Sequence, residues 1–395
     1  MNPILGRWDF DRKPLLVFWE TTKACLLVCK HCRANAILKA LPGELTTEEG
    51  YKLIDQIAEF GRPTPILVFT GGDPLMRKDL FDLIRHGREV GVNMAAAPSV
   101  TPLLTRETAK RLVESGIGSV SLSLDSPWEE VHDDIRGVKG TYRKTLEAAK
   151  WFLDLGARVQ INTTVMRETL ESLPYMPALL HDLGVKTWEV FYFVPTGRGQ
   201  LGSNLQPWEW MAVSFFLVEA SRYGILVRTT EGPFFRVAAC LEAHGVSPEE
   251  VLKGKSLELY QHMVSILRNT LGEPSTKPRA HTVGTRDGRG IVFIGYNGNV
   301  YPSGFLPVSA GNIRVKPLKE IYQNSRLFRM LREGTHLKGR CGKCEFKHLC
   351  GGSRARAYAI LGDPFEEDPA CAYIPGSFRE VAEKCGLKPV LHARK

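Results

Sequence analysis

Strand-like and helix-like segments alternate over the first two thirds of the chain, and this alternation restricts its fold more than any other feature. Short apolar runs typical of buried strands fall at residues 15–19, 66–69, 92–97, 120–124, 159–165 and 188–194. Helical patterns follow at residues 46–60, 80–90, 105–115, 142–155, 170–183 and 208–223. Such alternation is typical of βαβ units around a parallel sheet. Because six units are fewer than the eight of a closed TIM barrel, the pattern predicts an α/β fold with a partial (β/α)6 barrel.

Two loops with unusual composition follow the first two predicted strands. Residues 25–32 come directly after the first strand, and residues 71–74 come directly after the second. In parallel βα folds, ligands bind at the carboxyl ends of the strands. We therefore expect both loops to lie at the same mouth of the barrel and to share one site.

The first loop carries three cysteines, Cys25, Cys29 and Cys32, at the spacing C-x3-C-x2-C. Three soft thiolates this close suit an iron–sulfur cluster, whereas a closed structural zinc site needs four ligands. A [4Fe–4S] cluster has four irons, so three cysteines leave one iron open for chemistry. The alternatives are unrelated cysteines or part of a zinc site.

The second loop reads Gly71-Gly72-Asp73-Pro74. Two glycines let backbone approach a ligand closely, and Asp73 offers an acceptor to an ammonium group. Together these residues suit an amino-acid-like group. Alone, the same residues also fit an ordinary turn between a strand and a helix.

Taken together, the two loops resemble the radical S-adenosylmethionine (SAM) superfamily. The three cysteines match its cluster motif, His31 stands before the last cysteine where an aromatic residue or histidine is usual, and the second loop matches its GGEP-type motif. The resemblance implies that SAM chelates the open iron through its amino and carboxylate groups. One-electron cleavage then gives methionine and a 5′-deoxyadenosyl radical that takes a hydrogen atom from the substrate. The resemblance covers about residues 14–225.

Further contacts with SAM are expected at the ends of later strands. By resemblance, Ser123 and Asp125 belong to a fourth-strand segment that contacts SAM, and Arg136 pairs with its carboxylate. Ser99 ends the third strand, where a polar ribose contact is common. Asn162 faces the same mouth if side chains alternate along the fifth strand. No residue is assigned as a catalytic acid, base or nucleophile.

A second group of cysteines lies near the C-terminal end. Cys341, Cys344 and Cys350 follow the spacing C-x2-C-x5-C, and Cys371 comes later. Four thiolates close either a zinc site or a [4Fe–4S] cluster. After a radical SAM core this spacing resembles the SPASM/twitch extension, which holds auxiliary [4Fe–4S] clusters. Ser303 stands where a further cysteine is expected, so we predict one auxiliary cluster of the twitch type, which accepts an electron from the substrate radical.

The tail from Cys350 onward resembles that of radical SAM enzymes that modify tetrapyrrole side chains in haem pathways. The match has Ser353 where cysteine is common, and Arg354 and Arg356 suit bidentate carboxylate binding or shielding of the cluster. A carboxylated tetrapyrrole is therefore the first expected substrate, with oxidative decarboxylation of a propionate as the reaction. A peptide or protein is the alternative, although only about fourteen residues precede the first strand, which leaves no room for a leader-binding domain. A non-catalytic electron carrier is the third hypothesis, and the open three-cysteine site argues against it.

Composition limits the remaining possibilities. No apolar segment typical of a signal peptide or a transmembrane helix is present, so a cytoplasmic protein without membrane contact is expected. The formal net charge of +9 is spread along the chain, which favours an acidic partner or substrate over nucleic acid. An external reductant such as ferredoxin or flavodoxin is expected to supply electrons. Cys240 and Cys385 stand alone and are expected to be core or surface thiols.

The chain divides into three predicted segments. Residues 14–225 form the radical SAM core, residues 226–283 a helical linker, and residues 284–395 the SPASM/twitch-like domain. Within the last segment, Asn297-Gly298 predicts a β-hairpin with a type I′ turn.

Overall fold

The structure is a computed structural model that describes residues 8–280 and 284–385. Its strands are β1 Leu16–Glu20, β2 Ile66–Thr70, β3 Asn93–Ala96, β4 Ser119–Ser123, β5 Arg158–Val165, β6 Thr187–Tyr192, β7 Leu226–Thr230, β8 Ile291–Ile294, β9 Asn299–Tyr301 and β10 Gly311–Asn312. Its helices are α1 Thr47–Ala58, α2 Leu80–Glu89, α3 Arg106–Ser115, α4 Glu129–Arg136, α5 Thr141–Asp154, α6 Met176–Asp182, α7 Pro207–Ala220, α8 Phe234–Ala243, α9 Pro248–Val251, α10 Lys255–Leu271, α11 Leu318–Asn324, α12 Arg326–Glu333, α13 Gly339–Lys343, α14 Arg354–Leu361 and α15 Arg379–Lys384. Among the described helices, none has the length and apolar character needed to cross a membrane.

All of these strands join one sheet in the order β10-β9-β8-β1-β2-β3-β4-β5-β6-β7. Strands β1 to β7 pair in parallel with their sequence neighbours. The order ends at β10 and β7 rather than closing, so the predicted partial barrel with a C-terminal extension is confirmed. Strand β7 adds a seventh parallel strand beyond the six units expected. Its sequence signal is weak because Val227 is its one buried side chain.

The first helix shows how local sequence signals and core packing agree. Thr46 caps α1: its hydroxyl accepts a hydrogen bond from the Glu49 amide at 3.2 Å, and the Glu49 carboxylate accepts one from the Thr46 amide at 2.8 Å. This capping box satisfies two of the amides that a helix leaves unpaired. Gly50 lies inside α1, where glycine costs about 1 kcal/mol relative to alanine. A Cβ there would lie 2.9 Å from the Trp19 ring, so glycine gives β1 room to pack against the helix.

The C-terminal segment begins as a continuation of the barrel sheet. Strand β8 pairs in parallel with β1, and β9 returns antiparallel to β8, which confirms the expected hairpin. The predicted type I′ turn is wrong, because that turn needs left-handed backbone at both central residues. Gly298 has φ +82, but Asn297 is not left-handed; its side chain instead accepts a hydrogen bond from the Asn299 amide at 3.3 Å. The hairpin lies beside the strand that leads into the three-cysteine loop.

The predicted helical linker forms a layer of the structure. Helices α8 and α10 pack against α7, whose residues 209–220 are all buried. The linker is therefore part of the shell around β6 and β7, and it joins the barrel to the C-terminal cysteines.

Candidate active site

A cavity opens where the carboxyl ends of β1 to β6 meet. The loops after these strands bring together side chains that lie far apart in the sequence. The predicted site residues that line it are Cys25, Cys29, Cys32, Gly71, Gly72, Ser99, Ser123, Arg136 and Asn162. The expectation that the loops share one mouth therefore agrees with the geometry.

The three thiols of the first loop receive hydrogen-bond donors. Cys25 and Cys29 are buried and Cys32 is half-buried. Backbone amides donate to the sulfurs of Cys25 and Cys32, each at 3.4 Å, and Arg136 Nη1 donates to Cys29 Sγ at 3.8 Å. Donors aimed at sulfur stabilise thiolates, which is the form that binds metal.

Gly71 and Gly72 hold the second loop against the first. A Cβ on Gly71 would collide with the Thr22 carbonyl, and one on Gly72 would collide with the Ala24 carbonyl. The Gly72 amide donates to the Thr22 oxygen at 2.8 Å. Close approach of two backbones is therefore a structural reason for both glycines, in addition to any ligand.

Asp73 does not take the position expected of a ligand-binding carboxylate. It is completely buried and does not line the cavity, and neither does Pro74. Its oxygens accept from the amides of Leu75 at 3.1 Å and Ser99 at 3.3 Å, and from the Thr101 hydroxyl at 2.8 Å. Burial raises the pKa of Asp73 to about 6. The carboxylate thus fixes the third-strand loop, and the ammonium-binding role expected of Asp73 from the sequence stays a prediction.

Asp125 also lies behind the cavity wall, where it holds Arg136. The Arg136 Nη2 and Asp125 Oδ2 atoms are 2.6 Å apart, and the Thr164 amide donates to the other carboxylate oxygen at 3.0 Å. Burial alone would raise the pKa of Asp125, but the Arg136 charge brings it below its usual value. The Arg136 Nε atom is buried without a partner among the described residues. One edge of this guanidinium is therefore free for a ligand, and Asp125 acts through it.

His31 lies beside the ion pair of Asp125 and Arg136. Its Nε2 atom lies 3.8 Å from Asp125 Oδ2, and its Nδ1 atom is buried without a partner among the described residues. Burial lowers the pKa of His31 to about 4, so the imidazole is neutral at pH 7.

Three polar residues mark the remaining strand ends. The Ser99 hydroxyl donates to the Gly72 carbonyl at 2.8 Å, which ties the third-strand loop to the second. Asn162 accepts a hydrogen bond from the Gln160 side chain at 2.8 Å. Ser123 lines the cavity between them. All three line the cavity.

Arg198 is a site residue that sequence reasoning missed. It follows β6, and its Nε donates to the Cys29 carbonyl at 2.9 Å while Nη1 donates to the Ala36 carbonyl at 2.6 Å. Gly197 precedes it in the left-handed region at φ +60, where a Cβ would collide with the Cys32 carbonyl. Arg198 Nη2 is buried without a partner within the described chain. The Gly-Arg-Gly run after the sixth strand was the available signal.

A second, smaller cavity lies at the C-terminal cysteines. Cys341, Cys344, Cys350 and Cys371 all line it, and burial raises the pKa of each thiol. Four thiolates gathered at one cavity suit either a closed zinc site or a [4Fe–4S] cluster.

The two serines at expected cysteine positions contact the same carboxylate. The hydroxyls of Ser303 and Ser353 both donate to Glu231, the former at 3.4 Å. Burial raises the pKa of Glu231 well above its usual value, and the charge of Asp287 adds to this effect. A hydrogen-bonded carboxyl group therefore occupies the place between these serines.

Arg354 and Arg356 are both occupied inside the protein. Arg354 donates to the carbonyls of Pro364 and Glu366 and, at 3.7 Å, to Cys341 Sγ. Arg356 forms an ion pair with Asp368 at 3.0 Å. Both arginines are buried, so the idea that they clamp a substrate carboxylate is wrong, and the alternative of shielding the cluster fits.

Cys240 and Cys385 are not isolated in the structure. They form a disulfide between α8 and the end of α15, with His244 beside them. Sequence reasoning could not pair them, because 145 residues separate them along the chain.

Comparisons with known proteins agree with this geometry. Residues 19–176 match the model of the radical SAM superfamily, and residues 286–345 match SPASM, described as an iron-sulfur cluster-binding domain. The chain is 36% identical to an AdoMet-dependent heme synthase of Methanosarcina barkeri strain Fusaro, over 92% of this chain and 97% of that protein. The chain belongs to the radical SAM superfamily.

Two further relatives show how widely this radical SAM architecture is used. A PqqA peptide cyclase of Bradyrhizobium diazoefficiens is 29% identical over 92% of this chain and 87% of that protein. The solved structure of native anSMEcpe with bound AdoMet superposes with a TM-score of 0.64, covering 93% of this chain and 95% of that one at 18% identity. The latter likeness supports the fold alone.

The protein is therefore a 4Fe–4S-dependent radical SAM enzyme, with SAM and iron–sulfur clusters as its cofactors. Its residues fit these groups. Three thiols with hydrogen-bond donors face the first cavity, where one nitrogen each of Arg136 and Arg198 has no partner in the described part of the chain. Four thiols face the second cavity.

Proposed function

We propose that this radical SAM enzyme oxidatively decarboxylates a propionate side chain of a tetrapyrrole. The observation that carries the proposal is the 36% identity to an AdoMet-dependent heme synthase over 92% of the chain. Three PqqA peptide cyclases are less similar, at 29%, 27% and 25% identity. The net charge of +9 favours an acidic substrate.

In this proposal Cys25, Cys29 and Cys32 hold the cluster that binds SAM. When bound, that cluster supplies the electron that cleaves SAM. The backbone of Gly71 and Gly72, together with the strand-end residues, positions SAM beside it. Among the strand-end residues, Ser99, Ser123, Arg136 and Asn162 face the cavity. Arg136 offers its unpaired edge to the SAM carboxylate, and Asp125 keeps that arginine charged and oriented.

The opposite wall of the cavity suits a planar substrate with carboxylates. Phe191 and Phe305 line it with ring centroids 6.1 Å apart, and Arg33 lies at the same wall. The Arg33 guanidinium stacks over the Phe293 ring at 4.5 Å and donates from Nη1 to Glu20 at 3.3 Å. Aromatic faces bind a macrocycle, and a guanidinium binds a propionate. The cluster loop and the C-terminal hairpin thus build the substrate wall together.

The proposed reaction balances if one acceptor takes up one electron. Hydrogen-atom transfer from the propionate carbon next to the ring gives 5′-deoxyadenosine and a substrate radical. The bond to the carboxylate carbon then breaks, CO2 leaves, and one electron is released as the vinyl group forms. We propose that Cys341, Cys344, Cys350 and Cys371 hold the auxiliary cluster that receives this electron.

The segment boundaries and the electron source complete the proposal. We propose a core of residues 14–225 extended by β7, and a cluster-binding segment at residues 284–395 joined through α8 to α10. A small one-electron donor such as ferredoxin or flavodoxin would reduce the SAM-binding cluster. Its negative charge would complement the basic chain.

The test is anaerobic reconstitution with iron, sulfide, SAM and a reductant, followed by incubation with an iron-porphyrin that carries propionates. We expect 5′-deoxyadenosine together with a product lighter by one CO2 per reacted propionate, measured by mass spectrometry. The same porphyrin with esterified propionates is the matched control. Formation of 5′-deoxyadenosine without CO2 loss from any of several tetrapyrroles would contradict the substrate, and its absence would contradict the enzyme activity.

A peptide substrate is the second candidate, supported by the similarity to PqqA peptide cyclases over 92% of the chain. Chemical modification of a small peptide, with porphyrins left unchanged, would favour it over the tetrapyrrole.

A further inference from the structure

Arg356 occupies an unusual position between the two cavities. It lies on α14 and is 1% exposed, and its partner Asp368 is 4% exposed. A buried ion pair stabilises a fold only weakly, because desolvation of both charges offsets their attraction. Stability alone is therefore a weak explanation for a buried ion pair in this position, and a functional role explains it better.

The contacts of Arg356 reach both sites. Its Nε donates to the carbonyl of Phe193 at 3.3 Å, and Phe193 lines the first cavity. Its Nη1 donates to both oxygens of Asp368 at 3.0 Å. The Asp368 amide in turn donates to Cys341 Sγ at 3.3 Å. Hydrogen bonds from Arg356 thus reach the wall of the SAM cavity and the side chain of Asp368, and the backbone amide of the same Asp368 contacts a thiol of the C-terminal site.

Two aromatic rings hold this arginine in place. Its guanidinium lies 5.5 Å from the Trp210 ring centroid, and Trp210 stacks on Tyr192 with centroids 4.5 Å apart. Tyr192 lines both cavities. The wall between the cavities therefore consists of a stacked aromatic pair on one side of Arg356 and the Asp368 ion pair on the other.

We propose that Arg356 and Asp368 are positioning residues that couple the substrate cavity to the auxiliary cluster and set its reduction potential. This inference rests on the proposed role of that cluster as the acceptor of the substrate electron. The potential of an iron–sulfur cluster depends on net charge, burial and hydrogen bonds to its sulfurs. A buried guanidinium and an amide donor at Cys341 both favour the reduced, more negative state. Arg356 thus makes electron uptake from the substrate side more favourable.

The proposal predicts a separation between two steps. Arg356 contacts neither the thiols of the first loop nor the residues proposed to hold SAM, so SAM cleavage should not depend on it. The electron released at the substrate should depend on it strongly. Loss of Arg356 is therefore expected to lower the ratio of oxidised product to 5′-deoxyadenosine.

The experiment compares R356K, R356M and D368N with the wild-type holoenzyme. The midpoint potential is measured by redox titration monitored by electron paramagnetic resonance, in a C25A/C29A/C32A background that leaves only the auxiliary cluster. In this background we expect R356M to keep its auxiliary iron and to have a lower midpoint potential. In R356M with the first-loop cysteines intact, we expect the ratio of product to 5′-deoxyadenosine to fall about tenfold. R356K should lie between R356M and wild type, because lysine keeps the charge but loses the fork of donors.

R340M is the matched control. Arg340 lines the same cavity and pairs with Glu367 at 3.1 Å, but its side chain is 44% exposed. Solvent screens its charge, so its removal should shift the potential less than R356M.

Three outcomes would overturn the inference. They are an R356M potential equal to wild type, an equal shift in R340M, and loss of the auxiliary iron in both R356K and R356M, which would reveal a purely structural role. The proposed substrate is tested separately, because wild-type CO2 loss does not depend on these variants. If the R356M potential is shifted but the wild-type enzyme leaves porphyrins unchanged, the role of Arg356 and Asp368 is retained and only the tetrapyrrole substrate is rejected.

Discussion

The two cysteine sites of this radical SAM enzyme differ in how completely their charged neighbours are paired. Around the first site, His31, Arg136 and Arg198 each keep a buried side-chain nitrogen without a partner among the described residues. Around the second site, Arg354 and Arg356 donate to carbonyls, a thiol and Asp368. Three thiols face the first cavity, and four face the second.

This difference indicates what each site is built to do. An unpaired buried donor costs about 1–3 kcal/mol, so several of them around one cavity indicate a ligand that satisfies them. The first site therefore suits a ligand that enters and leaves. The second site already satisfies its charged side chains internally, which suits a permanently bound group that exchanges only electrons.

The comparison is tested most severely at the first site. Replacing Cys29 by alanine should abolish 5′-deoxyadenosine formation, because two thiols no longer hold the cluster that binds SAM. Iron of the second site should remain, as measured by metal analysis. The double variant Cys240→Ala/Cys385→Ala, which removes the disulfide outside both sites, is the control and should retain activity. Normal SAM cleavage in the Cys29 variant would contradict the assignment of Cys29 as a ligand of the cluster that binds SAM.

At the second site the expected loss is more selective. Cys371→Ala should lower the iron content by one cluster and abolish the oxidised product, while uncoupled 5′-deoxyadenosine formation continues. The measurement is the ratio of product to 5′-deoxyadenosine under excess reductant. Unchanged iron would mean that Cys371 is not a ligand.

Substitution of Arg198 tests whether the unpaired donors of the first site contribute to SAM cleavage. Arg198→Met removes the two hydrogen bonds that hold the cluster loop and should slow SAM cleavage about 10- to 100-fold. Arg198→Lys should recover part of the rate. Arg143→Met is the matched control, because Arg143 is 76% exposed and pairs with Glu129 at the surface. Equal rates in both methionine variants would remove Arg198 from the site.

The smallest expected effect concerns the contact between the core and the C-terminal segment. Arg314 pairs with Glu49 on α1, and its hydrogen bond to the carboxylate lowers the pKa of Glu49 to about 2. Glu49→Gln keeps the helix cap but removes the charge. Because both side chains are partly exposed, we expect a loss of about 0.2–1 kcal/mol in thermal unfolding.

The pH dependence of that loss follows from its sign. A lowered folded pKa contributes stability that is fully present above the unfolded value of 4.5 and is lost as the pH falls toward 2. The difference between wild type and Glu49→Gln should therefore be constant from pH 8 to about pH 5.5. A difference that shrinks within this range would contradict the ion pair.

Much of the fold could be predicted because its signals are local. The alternation of buried strands and amphipathic helices has a short period, and the Thr46–Glu49 capping box spans three residues. Strand β7 was missed because it buries so little apolar surface. The turn at Asn297 was wrong because a side-chain hydrogen bond stabilised another backbone conformation.

The candidate site was predicted in part for the same reason. Strand ends can be read from the sequence, so the residues at Ser99, Ser123 and Asn162 fall at one mouth. What a side chain does there depends on its partners. Asp73 proved to be saturated by Leu75, Ser99 and Thr101, which no spacing rule reveals.

The sequence by itself therefore determined the chemistry that this chain can perform, because the spacing of its thiols and glycines fixes which groups they suit. The tertiary structure decided which polar side chains remain free and which are occupied. Arg356 looked like a clamp for a carboxylate, but it contacts Phe193 and Asp368, at sequence separations of 163 and 12 residues. Such partnerships arise from packing of distant segments, so only the folded chain shows that Arg356 stands between the two sites.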